Sequence, residues 1–330
     1  MYKLSLVMPT YNRGENLKNI INEILKADVA QLSEVEIVVV DDGSLIPAGN
    51  FLKTMVIKPP FTLKVVRQEN AGPAFARNNG FQQASHEVVL FMDDDILAFP
   101  DMLLKHVVGH QQFPGSVIYG YCPYPVPPKQ TPAYRFLEKL THAEASDDDS
   151  KNFIKTTSIA SGNISAEKKT FPDGNFYKSS LRTPAAEEFE LMARLAHQSI
   201  DIYFNPSIKG WHLQPTTIED KCKQEFKYGI GVAEVAAKVP YSLDHANLKN
   251  LYYENCGINE GDSPKLKFKK RIKSVIARKS VRNFLLRFVN IMEKATPFDS
   301  LLFPFYRMLA GVFVFAGVRE GLKKFDGAGK

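Results

Sequence analysis

Two clusters of aspartates follow directly on short apolar runs of the sequence. The first run ends in Asp41 and Asp42, and the second ends in Asp93, Asp94 and Asp95. Apolar runs of this length, bounded by turn residues, are typical of buried strands in a parallel sheet. Ligands of open α/β sheets bind outside the carboxyl ends of the strands. Acids brought to one such edge suit a pocket that binds a nucleotide base through one carboxylate and a divalent cation through another.

The segments that must position these acids alternate between strand and helix. The pattern predicts strands that end at Met8, Val40, Arg67 and Met92, with helices between them. This order predicts an α/β fold with a doubly wound, mainly parallel sheet flanked by helices and joined by right-handed crossovers. The acids at 41–42 and 93–95 would then share one edge of the sheet.

Beyond residue 96 the pattern is looser. Prolines and tyrosines in 119–134 predict an extended loop, and 158–163 predict a strand and turn. A helix is predicted at 185–197 and a short strand at 200–204. The three acids at 147–149 have no apolar run before them, so we expect a solvated loop there.

These patterns predict two parts of the chain. Residues 1–240 would form the α/β domain, with a nucleotide-binding half at 1–95 and an acceptor half at 96–240. Residues 241–330 would form a helical extension that is both basic and apolar.

Composition excludes some classes of protein and partner. The chain of 330 residues is 44% hydrophobic and 24% charged, which is ordinary for a globular protein. Its net charge of +6 comes from ten Lys and Arg between Lys265 and Arg287, without which it would be −4. Nucleic acid is therefore a poor partner for the main domain. Three widely separated cysteines predict reduced thiols in a cytoplasmic protein.

The basic segment is also amphipathic. Apolar residues recur at three- and four-residue steps through 265–292, and Lys and Arg occupy the other faces. This pattern predicts a helix that lies on an anionic membrane surface. The apolar run 308–318 has 11 residues, fewer than the roughly 20 that span a bilayer. Without a secretory signal at the N-terminus, we expect a cytoplasmic protein attached to the inner face of the membrane.

Four segments, in order, resemble the motifs of glycosyltransferase family 2, whose members transfer sugars from nucleotide sugars and have the GT-A fold. The resemblance runs from about Leu4 to His212. The segments are Val-Met-Pro-Thr-Tyr-Asn-Arg at 7–13, Val-Val-Asp-Asp-Gly-Ser at 39–44, Asn-Ala-Gly-Pro-Ala-Phe-Ala-Arg-Asn-Asn-Gly at 70–80, and Phe-Met-Asp-Asp-Asp at 91–95. The last resembles the metal-binding D-x-D motif of the family.

The downstream half resembles the family less closely. Gly162-Asn163 matches a Gly-Asn turn of the family, which implies an acceptor-binding role. Glu187 and Glu188 stand at a helix start that usually reads E-D-x-D-L, so glutamate replaces the usual aspartate. The resemblance implies that Glu188, with Glu187 as its rival, is the general base.

The resemblance also implies a donor site and a metal site. Metal ligation by Asp95, Asp93 and His212 would hold Mg²⁺ or Mn²⁺, hard cations that prefer carboxylate, phosphate and water oxygens. The implied donor-binding residues are Pro9, Thr10, Tyr11, Asn12, Arg13, Asp41, Asp42, Arg77, Asp93 and Asp94.

Each role has a structural alternative. Asp42 could serve the turn alone, because Asp and Gly favour turns. Arg77 could pair with a strand-end aspartate instead of a phosphate. His212 could pack beside Trp211, and Glu188 could complement the helix macrodipole.

The expected activity is metal-dependent, inverting transfer of a sugar from a nucleotide sugar to a hydroxyl of a lipid-linked or polysaccharide acceptor. UDP is the favoured nucleotide, since an aspartate can accept the uracil N–H. One alternative is a membrane-surface protein that binds nucleotide sugars without turnover. Another is a sugar-phosphate nucleotidyltransferase, which normally has a glycine-rich loop where 9–14 carry one glycine. A dehydrogenase would need G-x-G-x-x-G in the same place.

Overall fold

A computed structural model describes residues 1–142, 153–183, 185–214, 216–296 and 298–325. The acids at 147–149, predicted to lie in a solvated loop, are outside the described residues.

Strands and helices alternate through the first half of the chain, as expected, and helices dominate its last third. The strands are β1 (Tyr2–Thr10), β2 (Leu32–Asp41), β3 (Phe61–Arg67), β4 (Val88–Met92), β5 (Ile96–Ala98), β6 (Val117–Tyr121), β7 (Ile154–Thr156), β8 (Asn163–Glu167) and β9 (Ile202–His212). The helices are α1 (Gly14–Ile24), α2 (Ala48–Leu52), α3 (Pro73–Gln83), α4 (Met102–Gln112), α5 (Pro132–His142), α6 (Ala186–His197), α7 (Ile218–Lys238), α8 (Ala246–Asn255), α9 (Pro264–Ile276), α10 (Lys279–Ala295) and α11 (Asp299–Phe325).

Within the described residues the strands form one sheet in the order β3-β2-β1-β4-β8-β6-β9-β5, with β7 paired to β9. The pairs β3–β2, β2–β1 and β1–β4 are parallel, as predicted for the first half. Strand β8 then pairs antiparallel with both β4 and β6. The carboxyl ends of β1, β2 and β4 therefore lie at one edge, where the aspartate clusters follow β2 and β4.

Three predicted element positions in the second half were wrong. The segment 119–134, predicted as a loop, contains the end of β6 and the start of α5. The strand predicted at 158–163 begins only at Asn163, and the strand predicted at 200–204 continues to His212. The basic segment 265–292 forms two helices, α9 and α10, which are separated at 277–278.

The core of the first half lies between the sheet and its helices. Leu4, Leu6 and Met8 of β1 are fully buried, and α1 packs its apolar face into the same cluster. Helix α3 lies close to the sheet at Gly80, where a Cβ would overlap the side chain of Val7. This close approach fixes the start of α3 near the carboxyl edge of the sheet.

By compactness the chain divides into two units. Unit 1 comprises Met1–Pro125, Thr141–Arg182 and Arg194–Gln214, and unit 2 comprises Val126–Leu140, Thr183–Ala193 and Pro215–Lys330. The predicted boundary at residue 240 concerns a division by function and stays a prediction.

In unit 2 the helices α7 and α11 cross at glycines. A Cβ on Gly229 would overlap the carbonyl oxygen of Val314, and a Cβ on Gly317 would overlap that of Phe226. The third such position, Gly321, faces Ala233. Small residues of this kind let two helix backbones approach closely.

Helix α11 is 27 residues long, well beyond the 11-residue apolar run seen in the sequence. By length and composition it could cross a membrane, a test that buried helices of soluble proteins also meet. Half of its most apolar window is buried inside the protein. The crossing with α7 accounts for part of that burial.

Candidate active site

The loops after β1 and β2 are tied together at the carboxyl edge. Thr10 and Asp41 are partners in the β1–β2 register, and the Asp42 N–H donates to the Thr10 carbonyl at 2.9 Å. The Asn12 N–H donates to Ser44 Oγ at 2.9 Å, with Asn12 at a φ of 57°. These bonds hold the two loops together.

Asp41 supports the turn from inside. Its side chain is 1% exposed and accepts from the N–H groups of Ser44 and Ala48 and from Arg67 Nη1, at 2.8, 2.9 and 2.6 Å. Burial opposes ionisation, but these donors outweigh it and lower the pKa of Asp41. Both carboxylate oxygens are therefore engaged within the protein. A direct contact of Asp41 with the donor stays a prediction.

Asp42 connects this turn to the start of α3. Its Oδ1 accepts from Gln68 Nε2 and the Ala71 N–H, both at 2.8 Å, and its Oδ2 accepts from the Gly72 N–H at 3.0 Å. Gly72 has a φ of 93°, a conformation that favours glycine. With three donors present, Asp42 has a structural role here, and one lone pair of Oδ2 is left for a further partner.

The aspartates after β4 meet the residues after β1. Thr10 Oγ1 donates to Asp94 Oδ2 at 2.6 Å. Arg13 Nη1 lies 3.3 Å from Asp94 Oδ1 and 2.7 Å from Asp95 Oδ2. The structure thus brings together four residues that the sequence placed in the donor and metal sites.

Asp94 and Asp95 differ in their acidity. Burial raises the pKa of Asp94 to about 6, against the opposing effects of Thr10 and Arg13. Burial also acts on Asp95, but His212 and Arg13 outweigh it and hold the pKa of Asp95 well below its ordinary range. Asp95 therefore stays ionised to a lower pH than Asp94.

Asp95 and His212 have the geometry of two ligands to one cation. Asp95 Oδ1 and His212 Nε2 are buried, lie 3.4 Å apart, and have no well-aligned hydrogen-bond partner. Neighbouring ligands of an octahedral ion bound at 2.0–2.1 Å are about 3 Å apart. The ring of His212 also stacks on Tyr124, with centroids 6.0 Å apart.

Among the described residues no group of three or more His, Cys, Asp or Glu could hold a metal ion. Mg²⁺ sites commonly use one or two carboxylates and take their other ligands from substrate phosphates and water. Asp95 with His212 fits that kind of site, in which a diphosphate completes the coordination.

Arg77 lies behind Asp93. Its guanidinium is buried, and Nη2 donates to Asp93 Oδ1 at 2.6 Å, the ion pair considered as the alternative to phosphate binding. The Asp93 N–H donates to the Gly162 carbonyl at 3.1 Å. Gly162 is therefore part of the support of the aspartate cluster.

The side chain of Asn163 is buried, whereas a residue that contacts an acceptor is expected to be exposed. Its side chain is 1% exposed and is bonded to His106 and to the carbonyl of Ile208. A contact with the acceptor through this side chain would require the bonds to break. The acceptor-binding role of this turn stays a prediction.

The two candidates for the base lie in unit 2. Glu187 and Glu188 occupy the first turn of α6, after Ala185 at a φ of 71°. Glu187 is 3% exposed, and Glu188 is half-buried. The choice between them stays a prediction.

The sequence model of the family described as glycosyl transferase family 2 matches residues 5–171, just over half of the chain. The chain belongs to glycosyl transferase family 2. The match spans β1 to β8 and so contains the aspartate cluster.

Curated proteins of the same kind match about a third of the chain. A validoxylamine A glucosyltransferase of Streptomyces hygroscopicus subsp. jinggangensis (strain 5008) is 33% identical over 122 residues, which are 36% of this chain and 28% of that protein. A dolichol-phosphate mannosyltransferase of Pyrococcus furiosus is 36% identical over 104 residues, 31% and 28% of the two chains. The matches thus cover less than a third of each relative.

Solved structures share the fold. A mannosyltransferase, PcManGT from Pyrobaculum calidifontis in complex with GDP-Man and Mn²⁺, superposes with a TM-score of 0.63 at 15% identity, covering 98% of this chain and 88% of that one. GalNAc-T7 with UDP, GalNAc and Mn²⁺ gives a TM-score of 0.52 at 15% identity, covering 82% and 54%. These likenesses confirm the predicted GT-A fold.

The site of this family 2 chain includes residues that the sequence reading missed. Gln214 Nε2 lies 3.4 Å from Asp95 Oδ2, and Tyr124 stacks on His212. Arg67 and Gln68 bind Asp41 and Asp42. Their position at the carboxyl end of β3 was a usable signal, since the acids follow the ends of β2 and β4. Tyr124, inside a proline-rich segment, had no such signal.

Proposed function

We propose that this chain catalyses metal-dependent transfer of a sugar from a nucleotide sugar, UDP being favoured, to a hydroxyl of a lipid-linked or polysaccharide acceptor. The observation that carries the proposal is the Asp95–His212 pair beside Thr10 and Arg13. Two buried atoms that face each other as an ion pair at 3.4 Å, without a well-aligned hydrogen bond, suit a shared cation. The relatives that are named for glucosyl and mannosyl transfer support it.

The cation would be Mg²⁺ or Mn²⁺, held by Asp95 and His212, and Asp93 is the third ligand that we propose. Bound there, it supplies positive charge against the negative charge that develops on the leaving diphosphate. Two structures with the same fold were solved with Mn²⁺. This supports a divalent ion.

The chain's own residues prepare the donor site. Arg13 supplies a cation at the cluster and neutralises Asp94 and Asp95 before the donor arrives. The start of α3, fixed by Asp42, presents N–H groups of the kind that favour phosphate. Tyr11, 51% exposed, is available beside a base or ribose.

Glu188 is proposed to take the proton of the acceptor hydroxyl as that oxygen attacks the anomeric carbon. A positioned carboxylate base contributes roughly 10²–10⁴-fold. Attack opposite the departing diphosphate would invert the anomeric centre. Glu187 is the rival for this role.

A panel of nucleotide sugars tests the proposal through metal-dependent hydrolysis or transfer. The wild-type protein should turn over at least one donor with Mn²⁺ and lose that activity in EDTA. Asp95→Asn should lower turnover by about 10²-fold or more, since it weakens a ligand of the charge-bearing ion. Asp201, a half-buried residue that pairs with Lys155 and accepts from the Tyr203 hydroxyl, provides the control Asp201→Asn. Donor binding without turnover would favour the alternative of a binding protein, and pyrophosphate release would favour a nucleotidyltransferase.

The base is tested by comparing Glu188→Gln with Glu187→Gln. Glu188→Gln should keep the donor affinity and lose roughly 10²-fold or more in transfer rate. If Glu187→Gln alone has that effect, the base is Glu187. Normal transfer in both variants would refute a base at this helix start.

We also propose that unit 2 attaches the protein to the inner face of the cytoplasmic membrane. Large apolar side chains on α9 and α10 are exposed, among them Phe268, Phe284 and Ile291, each at 66%. Lys and Arg crowd the same helices, without an acid in 265–287. Inserted apolar groups beside cations suit anionic lipid, at about 1 kcal/mol for each basic residue near the surface.

Vesicle binding tests this attachment. Phe284→Ser should weaken partitioning onto vesicles of phosphatidylcholine with phosphatidylglycerol by roughly 10-fold, because burying a phenylalanine contributes about 1.5–3 kcal/mol. The control is Leu45→Ser, which removes a side chain of unit 1 that is 89% exposed. Equal loss in both variants, or partitioning that is insensitive to salt, would contradict the proposed surface.

A further inference from the structure

A chain of buried hydrogen bonds runs through unit 1 to the turn at Gly162 and Asn163. It starts at His110 of α4 and passes through Ser165, His106 and Asn163. Its links measure 2.8 Å (His110 Nε2 to Ser165 Oγ), 2.8 Å (Ser165 Oγ to His106 Nδ1) and 2.7 Å (His106 Nε2 to Asn163 Oδ1). The four side chains are at most 3% exposed.

The Ile208 carbonyl, at the end of this series of hydrogen bonds, determines the direction of every bond in the series. The carbonyl oxygen of Ile208 only accepts, so the Asn163 side chain turns its Nδ2 to it, at 3.2 Å, and its oxygen to His106. His106 must then donate from Nε2 and accept at Nδ1. The Ser165 hydroxyl donates to that Nδ1 and accepts from His110 Nε2.

His106 fits this assignment only when it is neutral, because its Nδ1 must accept a hydrogen bond, and burial keeps His110 neutral as well. Burial lowers the pKa of His106 to about 3 and that of His110 to about 4. Each imidazole therefore carries one proton at neutral pH, on Nε2 in both cases.

Packing by neighbouring residues holds the side-chain amide of Asn163 in place. A Cβ on Gly120 would overlap both Asn163 Nδ2 and the Ile208 carbonyl oxygen, so only glycine leaves room there. On the other side His106 is fully buried. Asn163 is thus held between a glycine of β6 and a histidine of α4.

Asn163 in turn positions Gly162, which supports Asp93. It pairs with Met92 in the β4–β8 ladder, directly before Asp93. The preceding residue, Gly162, accepts the Asp93 N–H at 3.1 Å. A Cβ on Gly162 would lie 3.1 Å from Asp93 Oδ2, so the turn and this carboxylate are in close contact.

We infer that His106 is a positioning residue of the donor site, which holds the turn at Gly162 and Asn163, and through it Asp93, by donating its Nε2 proton to Asn163. The kinetic part of this inference rests on the proposed function. His106 makes no contact with the donor in this role and acts only through Asn163. A misplacement of about 1 Å at reacting groups can cost on the order of 10²-fold in rate.

Two amide substitutions distinguish the roles of the two ring nitrogens of His106. In His106→Gln the amide reaches the position of Nε2 and can still donate to Asn163. In His106→Asn the shorter amide reaches only the position of Nδ1 and keeps the contact with Ser165. Both place a neutral amide in the same buried site, so a purely structural role predicts similar kinetics for the folded fraction of each.

The expected result is a difference between the two variants in kcat, measured per folded protein and with donor KM measured in parallel. His106→Asn should lose about 10-fold or more in kcat, whereas His106→Gln should stay within about threefold of the wild type. Equal kcat values in the two variants would overturn the inference. If neither variant folds, the spectroscopic measurement below decides.

The wild-type protein offers that second measurement. In ¹⁵N-histidine NMR, His106 should be the neutral Nε2–H tautomer at pH 7, and its signals should shift when Mg²⁺ with UDP, or with GDP, is added. An Nδ1–H tautomer, or signals unmoved by a nucleotide that binds, would overturn the inference. Absence of turnover in the wild type would refute the proposed function instead, and the tautomer would still decide the bonding of His106.

Discussion

The crossing of α7 and α11 makes a sharp prediction about Gly317. A Cβ at this position would overlap the carbonyl oxygen of Phe226 and lie 3.0 Å from Gly229 Cα. Both obstacles are backbone, so the clash is relieved only if one helix moves away from the other. Gly317→Ala should therefore separate two helices that pack along their length.

The magnitude follows from two opposing effects. Overpacking a well-packed contact typically costs 1–3 kcal/mol, and a backbone obstacle places Gly317→Ala at or above the top of this range. Replacing glycine by alanine inside a helix stabilises the helix by about 1 kcal/mol. The net expected loss in the free energy of unfolding is about 2 kcal/mol or more.

Gly311 provides a matched control on the same helix. No atom lies within 4 Å of a Cβ built there, so Gly311→Ala should keep only the gain in helix propensity. The two variants should then differ by about 3 kcal/mol, or roughly 4 °C in melting temperature for a chain of 330 residues. Calorimetry measures the difference, and hydrogen exchange of the peptides from α7 shows where it arises. Equal melting temperatures, with unchanged exchange in α7, would refute the close crossing.

Two further predictions concern stability. Lowering the pH from 7 to 5 should destabilise the protein, because the unfolded chain binds protons near pH 6.5 at His106 and His110 while burial holds their folded pKa values at about 3 and about 4. This stability is present above pH 6.5 and is lost as the pH falls, by about 2 kcal/mol for each histidine at pH 5, partly offset by the raised pKa of Asp94. Urea unfolding should therefore show a shallower pH dependence in His110→Gln, and an unchanged slope would contradict the assignment. Asp41→Asn should cost roughly 1–3 kcal/mol in urea unfolding, since it disrupts buried bonds to two N–H groups and to Arg67; a variant as stable as the wild type would show that the turn does not need the charge.

The sequence predicted the parallel half of the sheet and the edge where the acids meet. The reason is local: apolar runs that end at Asp41 and Asp93 carry their own strand signal, and parallel strands place those ends together. It could not predict that β8 inserts between β4 and β6, because the pairing joins segments some seventy residues apart. For this reason the sequence predicted the antiparallel half of the sheet only in outline.

The roles within the site were harder to separate. Asp41 and Asp42 are neighbours of one type, yet one is enclosed by its own turn and the other anchors the start of α3. Only the position of Arg67 and Gln68, set by the β2–β3 register, tells them apart. His106 and His110 are four residues apart on α4, and this spacing was a readable signal of a shared partner. What they bind, Ser165, lies on a strand that the sequence did not place.

Unit 2 is assembled from three separate stretches, and two of them are interruptions of unit 1. A single cut before residue 215 would leave α5 and the start of α6 behind and remove α7 together with α11, so no single cut separates unit 2 from unit 1. In truncated variants, misfolding could not be told apart from loss of the proposed membrane binding, so surface substitutions are the better test. For the same reason, fusion of one contiguous segment at a terminus could not by itself add unit 2, because two of its stretches lie within the sequence of unit 1.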